Sequence, residues 1–157
     1  MATRTAEFDV CIIGGSVAGS TAARTLLEQG LSIAIVERDA LFRDRARSEG
    51  LHPWGMDEAE DPGLLDILDE AGAHPLPIWQ TYADRLPLEP FHWAFESALG
   101  HIEHGVFHPQ LPETILRHAV ANGATLFRPA SQKRGGRNTK LRASPTLILV
   151  VLMTLPR

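Results

Sequence analysis

The stretch from Phe8 to Glu37 limits the fold more than any other part of this 157-residue chain, because thirty residues hold a strand, a glycine turn, a helix and a second strand. Phe8, Asp9, Val10, Cys11, Ile12 and Ile13 make a nearly continuous apolar run, the pattern of a strand buried on both faces of a parallel sheet. Gly14, Gly15, Ser16, Val17, Ala18 and Gly19 then turn the chain. Ser20 to Gln29 sets Ala22, Ala23, Leu26 and Leu27 on one helical stripe, and Gly30 stops the helix. Leu31 to Val36 is again apolar and β-branched, which predicts a second parallel strand with Glu37 at its carboxyl end.

For a ligand that carries a pyrophosphate, each of these positions has a physical task. Gly14 permits the tight turn out of the strand, and Gly19 lets helix and strand approach closely. The middle glycine of G-x-G-x-x-G lets the backbone near the phosphates; here that place is Ser16, whose hydroxyl can donate to a phosphate oxygen. Amides at the helix start, together with the helix dipole, favour an anion. Glu37 follows Gly14 by twenty-three residues, where a carboxylate accepts hydrogen bonds from ribose hydroxyls. A G-x-G-x-x-G alone is weak. The strand before it, the helix after it, Ala23 and Gly30 at later small-residue positions and the acid closing the second strand separate it from an ordinary βαβ turn with incidental glycines.

The segments IIGGSVAGSTAARTLLEQG and IAIVERD resemble the amino-terminal fingerprint of FAD-dependent oxidoreductases, in particular the flavin monooxygenases related to aromatic hydroxylases. FRDRARSEGLHPWG, from Phe42 to Gly55, resembles that family's arginine-bearing loop beside the flavin, and HPQLPETILRHAVANGATLF resembles its later helix and strand. The resemblance covers about residues 8 to 128. It implies an α/β fold, a Rossmann-like βαβ FAD-binding domain with a parallel sheet that is incomplete here, plus the start of a substrate-side β region. It also implies cofactor contacts from Gly14 to Gly19, from Glu37 and Arg38, from Arg47 in the loop, and from Gln110 toward the ribityl or pyrophosphate region. NAD(P)H is the implied electron donor, and an apolar or aromatic small molecule the implied substrate.

Composition fits a soluble globular protein, with 44% hydrophobic and 22% charged residues and a net charge of -4. The charge is unevenly spread. Residues 1 to 127 hold all 19 acids and carry a net -11, while residues 128 to 157 carry +7. One cysteine, Cys11, allows no internal disulfide, and Met1 to Glu7 is too polar to open a signal peptide. The apolar run Leu147 to Leu155 is shorter than the about 20 residues that span a bilayer. These features together point to a soluble, cytoplasmic protein; they leave oligomeric state open.

After the second strand, Arg43, Arg45 and Arg47 alternate with Asp44, Ala46 and Ser48. Asp61 and Pro62 predict a helix start, Leu64, Leu65, Leu68 and Ala71 its apolar stripe and Gly72 its stop. From His74 to Gly105, dense prolines and aromatics, among them Trp79, Tyr82, Phe91, Trp93 and Phe95, predict short strands and loops, with most of the aromatics in a core. His101, His104 and His108 lack the acid or cysteine that would complete a familiar ligand set, so they predict no metal site. Pro109 to Asn122 predicts a helix with Leu111, Ile115, Leu116, Ala119 and Val120 inward, and Thr125 to Phe127 opens a third strand.

The domain expectation is an FAD-binding unit over 1 to 128 with 74 to 105 inserted, followed by an atypical tail over 129 to 157. That tail is basic and unpatterned, then bare and apolar in TLILVVLMTL, which reads as a truncated or frameshifted end with exposed, unpaired strand edges. Two other functions fit part of the pattern: an NAD(P)-dependent Rossmann dehydrogenase, since Glu37 serves either ribose, and a non-catalytic nucleotide- or nucleic-acid-binding protein using the basic tail.

Overall fold

The computed structural model describes residues 7–44, 50–92, 100–130 and 148–151. Arg45, Arg47, Trp93, Phe95 and the basic stretch 131–147, about which the sequence makes predictions, lie outside them. The chain forms two compact units, one of residues 1–42 and 115–157, the other of residues 43–114.

The first unit is built on a parallel sheet. Its strands are β1 (Val10–Ile13), β2 (Ile33–Val36), β10 (Thr125–Phe127) and β11 (Ile148–Val151), in the order β10-β2-β1-β11. Val10 pairs with Ile33 and with Ile148, Ile13 with Val36 and Val151, and Thr125 with Ala34, all in parallel register. In chain order the strands lie third, second, first, fourth, the order of the first four strands of a dinucleotide-binding fold. Continuous β-branched runs suit such a sheet because both faces are covered. Val10, Ile12, Ile33 and Ile35 are accordingly buried together with Ala23 of α1 (Val17–Glu28) and with Leu116 and Ala119 of α4 (Gln110–Ala121).

Two boundaries differ from the sequence reading for local reasons. β1 and β2 each begin two residues late because Asp9 and Ser32 are occupied with one another: Asp9 accepts from the Ser32 amide at 2.8 Å and the Ser32 hydroxyl at 2.6 Å. α1 begins at Val17, ahead of Ser20, since Ser16 takes an extended backbone and stands as its N-cap. The larger correction concerns the tail. The sequence offered three strands, whereas Ile148–Val151, inside the bare apolar run, pairs along the whole of β1 as a fourth.

The second unit contains β3 (Gly50–Leu51), α2 (Pro53–Glu60), α3 (Leu65–Glu70), β4 (His74–Leu76), β5 (Ile78–Trp79), β6 (Tyr82–Ala83), β7 (Leu86–Pro87), β8 (Phe91–His92) and β9 (Glu103–Gly105). β9 lies between β3 and β4 in an antiparallel sheet, while β5 pairs β8 and β6 pairs β7. The helix predicted from Asp61 starts later, as α3, and a helix the sequence reading did not offer, α2, precedes it. Pro53 takes the first helical position of α2, which ends at Glu60, and Gly63 at φ +63 turns the chain before α3. Within the stripe, Leu64, Leu68 and Ala71 are buried as expected, Leu65 is half-buried, and Ile67 replaces it inside.

Short strands and loops are found over the described residues 74–92 and 100–105, but the expectation that their aromatics make a core is not met at Trp79 and Tyr82, which are 45% and 64% exposed. Two-residue strands in ribbons of two present too little surface to enclose an indole. On α4, Leu111, Ile115, Leu116 and Ala119 are buried as predicted, whereas Val120 is exposed. Among the described residues, no helix is long and apolar enough to cross a membrane.

Candidate nucleotide site

At the carboxyl end of β1 the chain turns through Gly14, whose φ of +103 is a conformation that suits glycine and strains other residues. A Cβ on Gly19 would lie 2.0 Å from the Gly14 carbonyl oxygen, so the first turn of α1 can pass that close to the strand end only as glycine. Gly15 is nearly as enclosed: its Cβ would meet Glu37, Ile35 and Leu116 at 3.3 Å each. The buried Ser20 hydroxyl donates to the Gly15 carbonyl at 2.6 Å and holds the turn from below.

The helix then presents its amino end. Ser16, Val17 and Ala18 form the rim, Ser16 and Val17 half-buried and Ala18 exposed. The Ser16 side chain makes no cap bond, and the first turn of α1 contains no acid. First-turn amides have no partner within their own helix, and the helix dipole adds positive potential there. A twelve-residue helix opening on Val17 and Ala18, with no acid in its own first turn, is therefore fitted to an anion.

Glu37 links this turn to the end of β2. Its carboxylate is buried; one oxygen accepts from the Gly15 amide at 2.7 Å and the other from the Asp39 amide at 2.7 Å. The backbone on both sides of Glu37 is also fixed, its N–H donating to Phe127 at 3.0 Å and its carbonyl accepting from Ala130 at 2.7 Å. A carboxylate offers about four lone-pair directions, so these two bonds leave acceptor capacity on both oxygens. Arg38 beside it is exposed and lies 3.4 Å from the Asp39 carboxylate.

Seven of the residues singled out in the sequence thus converge at one end of the parallel sheet: Gly14 to Gly19 in one turn, and Glu37 through its bond to Gly15. Arg38 flanks them. Arg47 lies outside the described residues. Gln110 is the exposed first residue of α4 and belongs to the second unit.

A family profile described as FAD binding domain matches residues 7–132. The chain belongs to this FAD-binding domain family. Among curated relatives, squalene monooxygenase SE2 of Panax ginseng is 39% identical over 90 residues, which are 54% of this chain and 16% of that protein. The 6-methylpretetramide 4-monooxygenase of Streptomyces rimosus is 35% identical over 69 residues, 44% of this chain and 16% of its own. The chain therefore spans about a sixth of the length of these relatives. The crystal structure of PqsL, a probable FAD-dependent monooxygenase from Pseudomonas aeruginosa, superposes with a TM-score of 0.63 at 23% identity, covering 78% of this chain and 33% of that one. That likeness is one of fold.

Several residues of the FAD-binding domain escaped the sequence reading. Ser20 looked like an ordinary helix residue, although a small polar group one residue past the glycine motif is placed to reach back to the turn. Arg128 looked like the first charge of a basic tail, yet its Nε donates to the Asp39 carbonyl at 2.7 Å and its guanidinium lies 4.5 Å from the Phe42 ring centroid. The available signal was position, since Arg128 directly follows the third strand.

A separate cluster occupies the second unit. His52 Nδ1 lies 3.2 Å from the buried Glu103 carboxylate, and its ring stacks on Trp54 at 4.4 Å. A Cβ on Gly50 would stand 2.6 Å from the Glu103 Oε1, so the cross-strand glycine gives the carboxylate its room. His101 lies 3.2 Å from Glu60, and His104 from the Ile102 carbonyl at 3.0 Å, so the two imidazoles have different partners.

Proposed function

We propose that this FAD-binding domain holds FAD by the turn Gly14–Gly19 and the carboxylate of Glu37, and that it serves an NAD(P)H-dependent monooxygenase acting on an apolar or aromatic small molecule. The observation that carries the reading is the bond between Gly15 and Glu37, which puts an anion-fitted helix start and a ribose-fitted carboxylate within one hydrogen bond of each other. A dinucleotide has its pyrophosphate and its ribose adjacent in the same way.

The residues fit the group. The missing side chain at Gly14 leaves nothing within 4 Å of where a Cβ would stand, giving the phosphates open approach to the strand end. The amides of Ser16, Val17 and Ala18 would meet the pyrophosphate, the Ser16 hydroxyl would donate to it, and the remaining lone pairs of Glu37 would accept from the adenosine ribose. Arg38 would contribute beside Glu37, and Arg47 and Gln110 would serve the flavin half, as the family resemblance implies.

Flavin, when bound, would supply the redox chemistry of an NAD(P)H-dependent oxygenation. This chain's residues bind and orient. The two curated relatives carry monooxygenase names with quite different substrates, squalene and a pretetramide. The exposed Ile78, Trp79 and Tyr82 of the second unit support an apolar or aromatic substrate. The test is titration of the purified 157-residue chain with FAD, ADP and NADH. FAD and ADP binding with flavin absorbance retained after gel filtration is expected. Binding of NADH with refusal of FAD would replace this reading with a nicotinamide dehydrogenase.

A further inference from the structure

We infer that Arg128 is a positioning residue for the adenosine end of the site, acting through Asp39 and Glu37 on the glycine turn. The functional half of this inference rests on the FAD reading above. Its structural half rests on a line of hydrogen bonds. The Arg128 Nε donates to the Asp39 carbonyl at 2.7 Å. The Asp39 amide donates to one Glu37 oxygen at 2.7 Å, and the other Glu37 oxygen accepts from Gly15 at 2.7 Å. Asp39 is thus gripped through both its carbonyl and its amide, one toward the end of β10 and one toward the carboxylate.

The segment after Glu37 has little packing of its own. Arg38 is 72% exposed along its side chain, and Leu41 is 69% exposed. Phe42 is where the segment returns to the core, and the Arg128 guanidinium covers its ring at 4.5 Å. One side chain therefore pins the segment at two points, by a hydrogen bond at Asp39 and by stacking at Phe42. Arginine can do both because its plane stacks on a ring while its edge donates, whereas an ammonium does only one well. Without the pin, Asp39 can drift, and the Glu37 oxygen that faces it is released to rotate away from the ribose.

The test uses the 157-residue chain as parent, Arg128→Ala, Arg128→Lys and Phe42→Leu. The first readout is hydrogen exchange at single amides. In Arg128→Ala the Asp39 and Gly15 amides should exchange faster while Cys11 to Ile13 keep the parent's rates. The second is affinity for FAD, for ADP as its adenosine half, and for FMN as its flavin half. FAD and ADP should both weaken on the order of 10-fold, the scale of about one charged hydrogen bond, with FMN unchanged. Arg128→Lys should recover part of the loss and Phe42→Leu should show a smaller one. Unchanged exchange at Asp39 and Gly15 overturns the inference. So does equal loss of FAD, ADP and FMN accompanied by faster exchange in Cys11 to Ile13, which would make Arg128 an ordinary stabilising residue. A parent that binds neither FAD nor ADP would remove the FAD reading, and the exchange rates would still decide whether Arg128 holds the turn.

Discussion

At Gly19 a single hydrogen side chain decides whether the turn closes. Its Cβ would sit 2.0 Å from a backbone oxygen, which no rotamer can relieve, so Gly19→Ala should cost roughly 3 kcal/mol of stability and abolish FAD retention. Thermal melting and a flavin absorbance scan check both. Glu37 differs, since its removal leaves the fold able to form but strands the Gly15 amide. Glu37→Ala should weaken FAD by roughly 1 to 3 kcal/mol by isothermal titration, and Glu37→Gln should recover only part, because an amide nitrogen cannot accept from a backbone N–H. Asp9 provides a pH signature. The Ser32 hydroxyl, then the Ser32 amide, hold its carboxyl below the usual carboxylate value. A depressed folded-state pKa contributes stability above the unfolded value and loses it as pH falls through the folded one. Denaturation midpoints should therefore fall more steeply with acid in the parent than in Asp9→Asn, in the range below the ordinary aspartate pKa.

At the scale of elements, strands and helices with one strong period were legible and those assembled from short pieces were not. β1, α1, β2, α4 and β10 could be read because continuous β-branched runs and a helical apolar stripe each suit one environment. The site followed from them, because a glycine turn after a buried strand fixes where Glu37 must end. α2 was missed, and α3 was started too early, because Pro53 and Pro62 are equally able to open a helix. The exposure of Trp79 and Tyr82 was missed because aromatic content says nothing about whether enough neighbouring strand exists to cover the rings. Arg128 offered only its place after the third strand as a signal, and its partners Asp39 and Phe42, more than eighty residues away in the chain, could not be read from pattern. The central strand carries the packing of this unit. Ile35 is fully buried between neighbouring strands, and Ile35→Ala should cost about 3 kcal/mol in urea denaturation, while the exposed Val120→Ala should lie within about 0.5 kcal/mol of the parent.

At the scale of the whole molecule, the decisive element is β11, the stretch that pattern reading set aside. A parallel strand buried on both faces gains most when it has neighbours on both edges, because each unpaired backbone group at an edge must find water or another chain. β1 carries the glycine turn at its carboxyl end, and β11 occupies its second edge from Val10 to Ile13. The order third, second, first, fourth also places β1 at the switch between outgoing and returning strands, where such sheets receive their ligands. Within the apolar run, Ile148–Val151 is thereby accounted for as a strand of this sheet. Ending the chain after Ala130 tests this. The shortened protein should melt at a lower temperature, its Cys11 to Ile13 amides should exchange faster, and it should self-associate through the bared edge of β1. The shortened chain should also hold FAD more weakly than Gly14–Gly19 and Glu37 alone would suggest, since the turn hangs from a strand that has lost one neighbour. Identical melting and identical exchange in the two lengths would show that β1 needs only β2, and that Ile148–Val151 adds nothing to the sheet.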